Sequence, residues 1–441
     1  MKKNILFKFS LSQFSRIKKN FNSLFLNFSV QITIQIFYLP LMLFFWGTEN
    51  FGIWIFVTTI PSTLSVLNID FTRAAKTEMS INNIRNKKKE VNQNFQNAFG
   101  LTLMNMLIFS IISIIFFLLK GLNLKIFESI ELHDLKIILF FIFFSFYFIL
   151  FDSLLATGIS YRGKLYIQQN IKTIFDALIK IAVVISGFFF NNLIYAAGIF
   201  FLMTILKTLF FYYYFTINKK YLVLSLKFIN LKNSLKLFKL SLSYYLEAMS
   251  YMLKNNGLII LLGIFFTAEL VGLVSAARTL FYFLPLRILG IITNTSIYEY
   301  SQSYAKKQMK IIKYNFNRHI FLTICLILLM SISLLATGPT IFNLWTHNEY
   351  NLNYLLILLL VTDCLICSLR NTLIILIKAV NKFLKAIAVE AIISILIFFI
   401  TYYFLTLNYN YLSMFIMNLI GTLISFIAIG YFSFKFYGKL K

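Results

Sequence analysis

The sequence predicts an all-α integral membrane protein, and three observations support this prediction. Hydrophobic residues make up 59% of the 441 residues and charged residues only 13%, whereas a soluble domain carries about 25% charged residues. The apolar residues fall in twelve long runs, without the alternation of period two that barrel strands show. Because a spanning helix needs about 20 mostly apolar residues, each run predicts one membrane-spanning helix.

The predicted spans cover most of the chain. In order they are 22–45, 51–70, 96–118, 135–158, 171–190, 193–215, 238–265, 270–297, 318–337, 352–378, 386–406 and 412–434. The first run follows a basic segment, is too long for a signal peptide and lacks a small-residue cleavage site. It is therefore predicted to be an uncleaved first helix.

The basic residues of the chain are distributed unequally between the two sets of loops. Of 41 Lys and Arg residues, 32 lie in the loops and adjoining span ends on the side of the N-terminus, three lie in the opposite loops and span ends, and six lie deeper inside the predicted spans. Loops rich in Lys and Arg stay in the cytoplasm, so both termini are predicted to be cytoplasmic. This distribution accounts for the net charge of +26 without a nucleic-acid partner.

An internal repeat predicts two halves of six helices each. Glu49 and Gly52 form a Glu-x-x-Gly turn between the first two spans, and Glu269 and Gly272 form the same turn between spans seven and eight. The two turns are 220 residues apart, which is half the chain. We expect an N-terminal lobe (1–215), a cytoplasmic linker (216–237) and a C-terminal lobe (238–441) around a central cavity, a plan known among transporters.

Ionisable residues inside the spans are the candidate functional residues, since each costs about 2.5–3.5 kcal/mol at mid-membrane. The bases are Lys180, Lys207, Lys254, Arg278, Arg287 and Arg370, and the acids are Asp152, Asp176, Glu247 and Asp363. Four acids cannot neutralise six bases. About two positive charges therefore require water, carbonyl groups or an anionic ligand.

Helical spacing separates these residues. Asp176 and Lys180 are four residues apart and predict a local ion pair. Lys207 has no acid within one turn of its own helix, so it is predicted to face the cavity. Arg278 and Arg287 are nine residues apart and lie on opposite helix faces, so only one is expected to point inward without a kink.

Two further pairs predict polar stripes. Glu247 and Lys254 are seven residues apart, as are Asp363 and Arg370, so each pair shares a helix face but is too far apart, at about 10 Å, for a direct bridge. We interpret them as walls of a wet cavity. The predicted substrate-binding bases are, in order, Lys207 and Arg370, then Lys254, Arg278 and Arg287. The predicted coupling or charge-balancing acids are Asp363, Glu247, Glu49 and Glu269.

The sequence offers no enzyme signature. It has no glycine-rich loop that would cradle phosphate, and its three histidines lie far apart. Cys364 and Cys367 have CxxC spacing inside an apolar run, which favours inert core thiols over a metal site. The largest outer loop, 119–134, is too small for a catalytic domain. We therefore predict a non-enzyme without a cofactor or metal.

Several short segments resemble the O-antigen flippases (Wzx type) of the multidrug/oligosaccharidyl-lipid/polysaccharide (MOP) exporter superfamily. These segments are Leu39-Pro40 with Gly47, Phe51-Gly52-Ile53-Trp54, Asp70-Phe71-Thr72-Arg73-Ala74 with Glu78, and Gly338-Pro339 with Leu344-Trp345 in the fifth outer loop, where the family has a turn. The chain departs from the family at Asn255-Asn256, where related chains often carry an acid in the seventh span.

The resemblance implies a fold like that of the MATE transporters, which belong to the same superfamily. It implies a flippase that moves undecaprenyl-diphosphate-linked oligosaccharide from the cytoplasmic to the periplasmic leaflet of a bacterial inner membrane. Coupling to H⁺ or Na⁺ and contact with other polysaccharide-assembly membrane proteins would fit this role. An ion-coupled multidrug antiporter and a membrane-bound polysaccharide polymerase or ligase are the alternatives.

The predicted orientation can be tested by cysteine labelling. In a cysteine-free variant, a single cysteine at Asn192, Asn348 or Asn408 should react with an impermeant maleimide added outside the cell, because these residues follow spans five, nine and eleven. A cysteine at Lys88 should stay unlabelled until the membrane is permeabilised. The reverse pattern would contradict the prediction.

Overall fold

The computed structural model describes residues 11–64, 71–118, 124–226, 231–305, 308–380 and 382–438, and this part is helical nearly throughout. Asp70 and residues 227–230 of the predicted linker lie outside the described residues. In chain order the helices are α1 (Leu11–Leu64), α2 (Phe71–Ile84), α3 (Lys88–Leu118), α4 (Leu132–Ser160), α5 (Leu165–Phe190), α6 (Leu193–Asn218), α7 (Leu231–Phe265), α8 (Ala268–Arg278), α9 (Leu284–Ala305), α10 (Met309–Trp345), α11 (Tyr354–Lys378), α12 (Leu384–Thr406) and α13 (Leu412–Gly438).

The helices confirm the prediction of a multi-pass all-α membrane protein. Eleven helices of the described part are long and apolar enough to cross a membrane. The helix α1 contains two predicted spans, because its backbone breaks at Gly47 (φ 73°, ψ 174°). The arms on either side of this break, 11–46 and 48–64, correspond to predicted spans one and two, which agrees with the twelve spans that the sequence predicts.

The outer faces of the helices suit a hydrocarbon environment. Large apolar side chains such as Phe44, Phe189 and Leu329 are more than two-thirds exposed. In water such exposure would be unfavourable, whereas in a bilayer these side chains contact lipid tails. Helices are the structures that fit here, because each satisfies its backbone hydrogen bonds internally where no water is available.

One compact unit comprises Met1–Tyr38, Asn68–Ile115 and Lys136–Ser241. Its core includes Phe95, Leu154 and Phe215, and the rings of Phe95 and Phe215 stack at 5.4 Å. The segment after α6, which the sequence analysis assigns to a linker, belongs to this core, since Leu222 is buried in it.

The other compact unit comprises Leu39–Leu67, Phe116–Leu135 and Leu242–Lys441. It therefore contains segments from both halves of the sequence, a division that differs from the predicted lobe boundaries. Its third segment includes α8, a π-helical turn (Thr279–Phe283) and α9, which together form predicted span eight. Such π turns commonly mark functional positions within helices.

The predicted turn at Gly338-Pro339 is wrong, because α10 continues through both residues to Trp345. A glycine is required at position 338, since a Cβ there would overlap the ring of Phe281 in the π-helical turn. Proline is tolerated within a membrane helix where neighbouring groups satisfy the freed carbonyl. The two residues therefore serve helix packing and not a loop.

The break at Gly47 yields a stability prediction. Its combination of φ and ψ is accessible essentially only to glycine, and strain of this kind costs about 1–3 kcal/mol in other residues. A Cβ at this position would meet nothing within 4 Å, so Gly47→Ala should lower the melting temperature in detergent through the backbone alone. Gly290→Ala is the matched control, since its Cβ also meets nothing within 4 Å. Equal melting temperatures would contradict the prediction.

Candidate functional site

The first polar cluster lies in the unit that contains α4, α5 and α6. The ammonium of Lys207 donates a hydrogen bond to Oδ1 of Asp176 at 2.8 Å, and Lys207 is only 8% exposed. Asp176 therefore has a partner that the predicted local pair with Lys180 does not include. Packing of α5 against α6 brings Lys207 to Asp176 from the neighbouring helix, a contact that spacing along one helix does not reveal.

A second acid completes this cluster. Asp152 on α4 is 5% exposed, and neither of its carboxylate oxygens accepts a hydrogen bond of normal geometry, although the Thr208 hydroxyl lies near them. Lys207 is the cation that acts on it electrostatically, and Asp176 is a nearby like charge. The ammonium of Lys207 therefore pairs directly with Asp176 and acts on Asp152 without an ion pair. A buried carboxylate without a direct ion pair is unfavourable when ionised.

The other unit holds Arg278, which forms no ion pair with an acid among the described residues. The guanidinium of Arg278 is 2% exposed and donates to the carbonyl oxygen of Asn255 at 2.8 Å and to its Oδ1 at 2.7 Å. The guanidinium also lies over the ring of Phe283, 4.9 Å from its centroid, a favourable cation–π contact. The resemblance described above leads us to expect an acid at Asn255, but here an amide holds this charge and does not neutralise it.

Asp363 and Lys254 lie near each other in the same unit. Asp363 is 4% exposed, and its Oδ2 accepts a hydrogen bond from Asn418 at 2.9 Å. Its Oδ1 accepts no hydrogen bond of normal geometry, although the Thr422 hydroxyl lies near the carboxylate. Lys254 is within electrostatic reach of this carboxylate. It lines a cavity of about 20 Å³ together with Asn418, Ser394 and Ser425. Such a volume is sufficient for about one water molecule.

Arg370 and Glu247 have partners that the spacing analysis did not consider. Arg370 forms an ion pair with Glu390 of α12 and donates to Asn371 at 2.6 Å. Glu247 accepts a hydrogen bond from Lys378 at 2.6 Å. Glu390 is missing from the acids that the sequence analysis selected, although it lies inside the predicted span 386–406. Its position in an apolar run was the signal that could have found it.

The remaining predicted site residues are exposed. Arg287 is exposed and makes no ion pair or hydrogen bond within the part of the chain that the structure describes. Glu49 and Glu269 are also exposed, next to the breaks between the arms of α1 and between α7 and α8.

These contacts divide the bases into two classes. Lys207 and Arg370 each have a carboxylate within ion-pair distance. In the described ranges, Lys254, Arg278 and Arg287 have none. The charge of these three residues is therefore not neutralised by a direct ion pair, although Asp363 acts on Lys254 and Arg278 at longer range. An anionic group is the chemistry that complements such charge. Among the described residues, no group of three or more His, Cys, Asp or Glu side chains is placed to hold a metal ion.

Comparison with solved structures identifies the fold. The lipid II flippase MurJ, in an inward closed conformation, is 15% identical to this chain with a TM-score of 0.66. The match covers 93% of this chain and 86% of the MurJ chain. A multidrug resistance MATE family transporter of the MOP superfamily, in an outward-facing conformation, is 13% identical with a TM-score of 0.62, covering 96% of both chains.

A MOP superfamily transporter from Pyrococcus furiosus is also similar, with 13% identity, a TM-score of 0.60 and 96% coverage of both chains. It is described as having a binding pocket of reverse polarity, which suggests a different function. No protein-family model and no curated protein matches the chain. The chain is therefore a multi-pass membrane protein with the transporter fold. More particularly, this fold is the one that MATE transporters and the lipid II flippase share, which confirms the predicted fold class.

The ion pair of Arg370 with Glu390 yields a second stability prediction. Glu390→Gln should destabilise the protein by roughly 3–5 kcal/mol, because it leaves a buried guanidinium without its counter-charge. The matched control is Glu90→Gln, which breaks the exposed pair of Lys87 with Glu90 and should cost no more than about 1 kcal/mol. Thermal unfolding in detergent measures both variants. Equal losses would show that the buried pair contributes no more than the exposed one.

Proposed function

We propose that the chain is a flippase for undecaprenyl-diphosphate-linked oligosaccharide. It would move this lipid from the cytoplasmic to the periplasmic leaflet of a bacterial inner membrane by alternating access of its two six-helix halves. The observation that carries the proposal is the positive charge on Lys254, Arg278 and Arg287, none of which has a carboxylate within ion-pair distance in the described part of the chain.

The diphosphate of such a substrate matches this charge. Lys254 is partly accessible and Arg287 is exposed, so their side chains are the ones that would pair with phosphate oxygens. Arg278 is buried and would add to the positive field without direct contact. Lys207 and Arg370, which the sequence analysis ranked first, are engaged by their own carboxylates, so we now rank them behind Lys254 and Arg287.

An ion gradient would drive the transport, and we assign the proton to Asp152. Both oxygens of this carboxylate are buried, with the Thr208 hydroxyl as the nearby donor, and a proton would remove the unfavourable charge. Once Asp152 releases its proton, Lys207 can pair with either Asp152 or Asp176. This exchange would couple protonation to the packing of α4 against α5 and α6.

The alternative function is an ion-coupled antiporter for organic cations. The specific observation in its favour is that two buried carboxylates, Asp152 and Asp363, have oxygens that accept no hydrogen bond of normal geometry. Cationic drugs would complement such acids. The three bases that have no carboxylate within ion-pair distance in the described ranges count against this alternative, because they would repel a cation.

Complementation of a bacterial strain that lacks its O-antigen flippase tests the proposal. The double variant Lys254→Gln/Arg287→Gln should lower surface polysaccharide roughly tenfold or more, since each charged hydrogen bond contributes about 1.5–3 kcal/mol. The control is Lys435→Gln, an exposed base near the C-terminus. Normal surface polysaccharide from the double variant, at normal protein level, would contradict the proposal.

Further arms of the same experiment address coupling and the alternative. Asp152→Asn should abolish export while Asp152→Glu retains part of it, because only the carboxyl group exchanges a proton. Efflux of a cationic dye from the same cells should not depend on the chain. Dye efflux that requires Asp152 and Asp363, without polysaccharide export, would establish the antiporter instead.

A further inference from the structure

Two glycines of the repeated Glu-x-x-Gly turns form unusually close contacts within one compact unit. A Cβ at Gly52 would overlap the backbone carbonyl of Ala268. A Cβ at Gly272 would overlap the hydroxyl of Tyr350 and would lie 3.1 Å from the backbone carbonyl oxygen of Thr48. Glycine at both positions therefore permits an approach of helix backbones that any other residue would prevent.

These two contacts are related by the internal repeat. Adding the offset of 220 residues converts Thr48 into Ala268 and Gly52 into Gly272. The contact of Gly52 with Ala268 and the contact of Gly272 with Thr48 are therefore the same contact, made once in each direction. Such reciprocity is expected where two duplicated halves meet across a pseudo-two-fold axis. We call these four residues the reciprocal glycine contact.

The surroundings of the contact show how it is held together. Tyr350 donates a long hydrogen bond, 3.5 Å, to the carbonyl oxygen of Thr48. Burial, and then the carboxylates of Glu269 and Glu349, raise the pKa of Tyr350, so its hydroxyl remains a donor. Nearby, the ring of Phe56 lies against Gly263 of α7 and packs on Phe127 at 5.5 Å. These are packing contacts and weak hydrogen bonds, which separate more readily than ion pairs.

The backbone next to the contact is adapted to bending. Gly47, directly before Thr48, has the left-handed φ of 73° that divides α1 into two arms. A hinge at this position allows the arm 48–64 to change direction without deforming the arm 11–46. The two turns also lie at the end of the spans opposite to the basic loops, where the charge asymmetry predicts the outer surface.

We propose that the reciprocal glycine contact is the outer gate of the transporter, closed in this structure and required to open in each cycle. This proposal rests on the proposed function, since a gate has meaning only in alternating access. Both glycine contacts must separate together, because the same two helix turns make both. The gate therefore has one closed position, defined by backbone contact, and does not need a specific pair of charged side chains.

Cross-linking tests the gate without removing either glycine. The experiment uses a cysteine-free chain with Thr48→Cys and Ala268→Cys. Because Gly52 contacts Ala268 and lies one helical turn after Thr48, the two thiols are on the order of 5–10 Å apart. A bifunctional maleimide with a cleavable spacer of matching length should join them in high yield in native membranes. Export in the complementation assay should stop on cross-linking and return when the spacer is cleaved. The two single-cysteine variants, treated with the same reagent, are the controls and should continue to export.

The glycines themselves supply the second measurement. Gly52→Ala and Gly272→Ala, each in the two-cysteine background, should lower the cross-linking yield several-fold, because the added Cβ holds the turns apart. Gly290→Ala should leave the yield unchanged, since its Cβ meets nothing within 4 Å. Cross-linking yield requires no substrate, so a failed substrate assignment would leave it unaffected. Normal export by the cross-linked chain would show that this contact stays closed throughout the cycle. Unchanged cross-linking yields in the alanine variants would show that the glycines do not set the closed position. Either result overturns the proposal.

Discussion

The structure depends on one constraint, which is that hydrocarbon offers no hydrogen-bond partner to a polar group. Backbone groups meet this constraint by forming helices, and ionisable side chains meet it by finding partners on neighbouring helices. Asn255 accepts two hydrogen bonds from the guanidinium of Arg278, one with its backbone oxygen and one with its side-chain oxygen. Asp176 and Glu390 do the same for Lys207 and Arg370 with their carboxylates. Each of these bases is thereby held at a defined position inside its unit.

The constraint also separates what the sequence predicts from what it does not. Spanning helices can be predicted because hydrophobicity is a property of one segment at a time, and even the division of α1 follows from two adjacent apolar runs. Ion pairs cannot be predicted in this way, because Lys207 meets Asp176 across a helix interface and not along one helix. The spacing rule that favoured Lys180 as the partner of Asp176 considers a single helix and is silent about its neighbours.

The internal repeat can be predicted from the sequence in part, unlike the ion pairs, but less completely than the spanning helices. The sequence shows Glu49 with Gly52 and Glu269 with Gly272 at a constant offset, which is sufficient to predict duplication. It does not show that each glycine faces the turn of the other half, because a missing Cβ leaves no pattern of hydrophobicity or charge. The Gly338-Pro339 segment shows the same limit, since glycine there serves contact with Phe281 and not a turn.

The distribution of partners connects the fold with the proposed transport. A base that is neutralised by its own carboxylate gains little from an anionic substrate, because the substrate would have to displace an existing ion pair. A base that is held by an amide, as Arg278 is, or that lines a small polar cavity, as Lys254 does, retains its charge for an incoming anion. A diphosphate group would therefore distinguish these two classes of base. It would be attracted to Lys254 and Arg287, which lie within membrane spans. The more numerous basic residues of the loops would attract it less, because water and salt screen their charge.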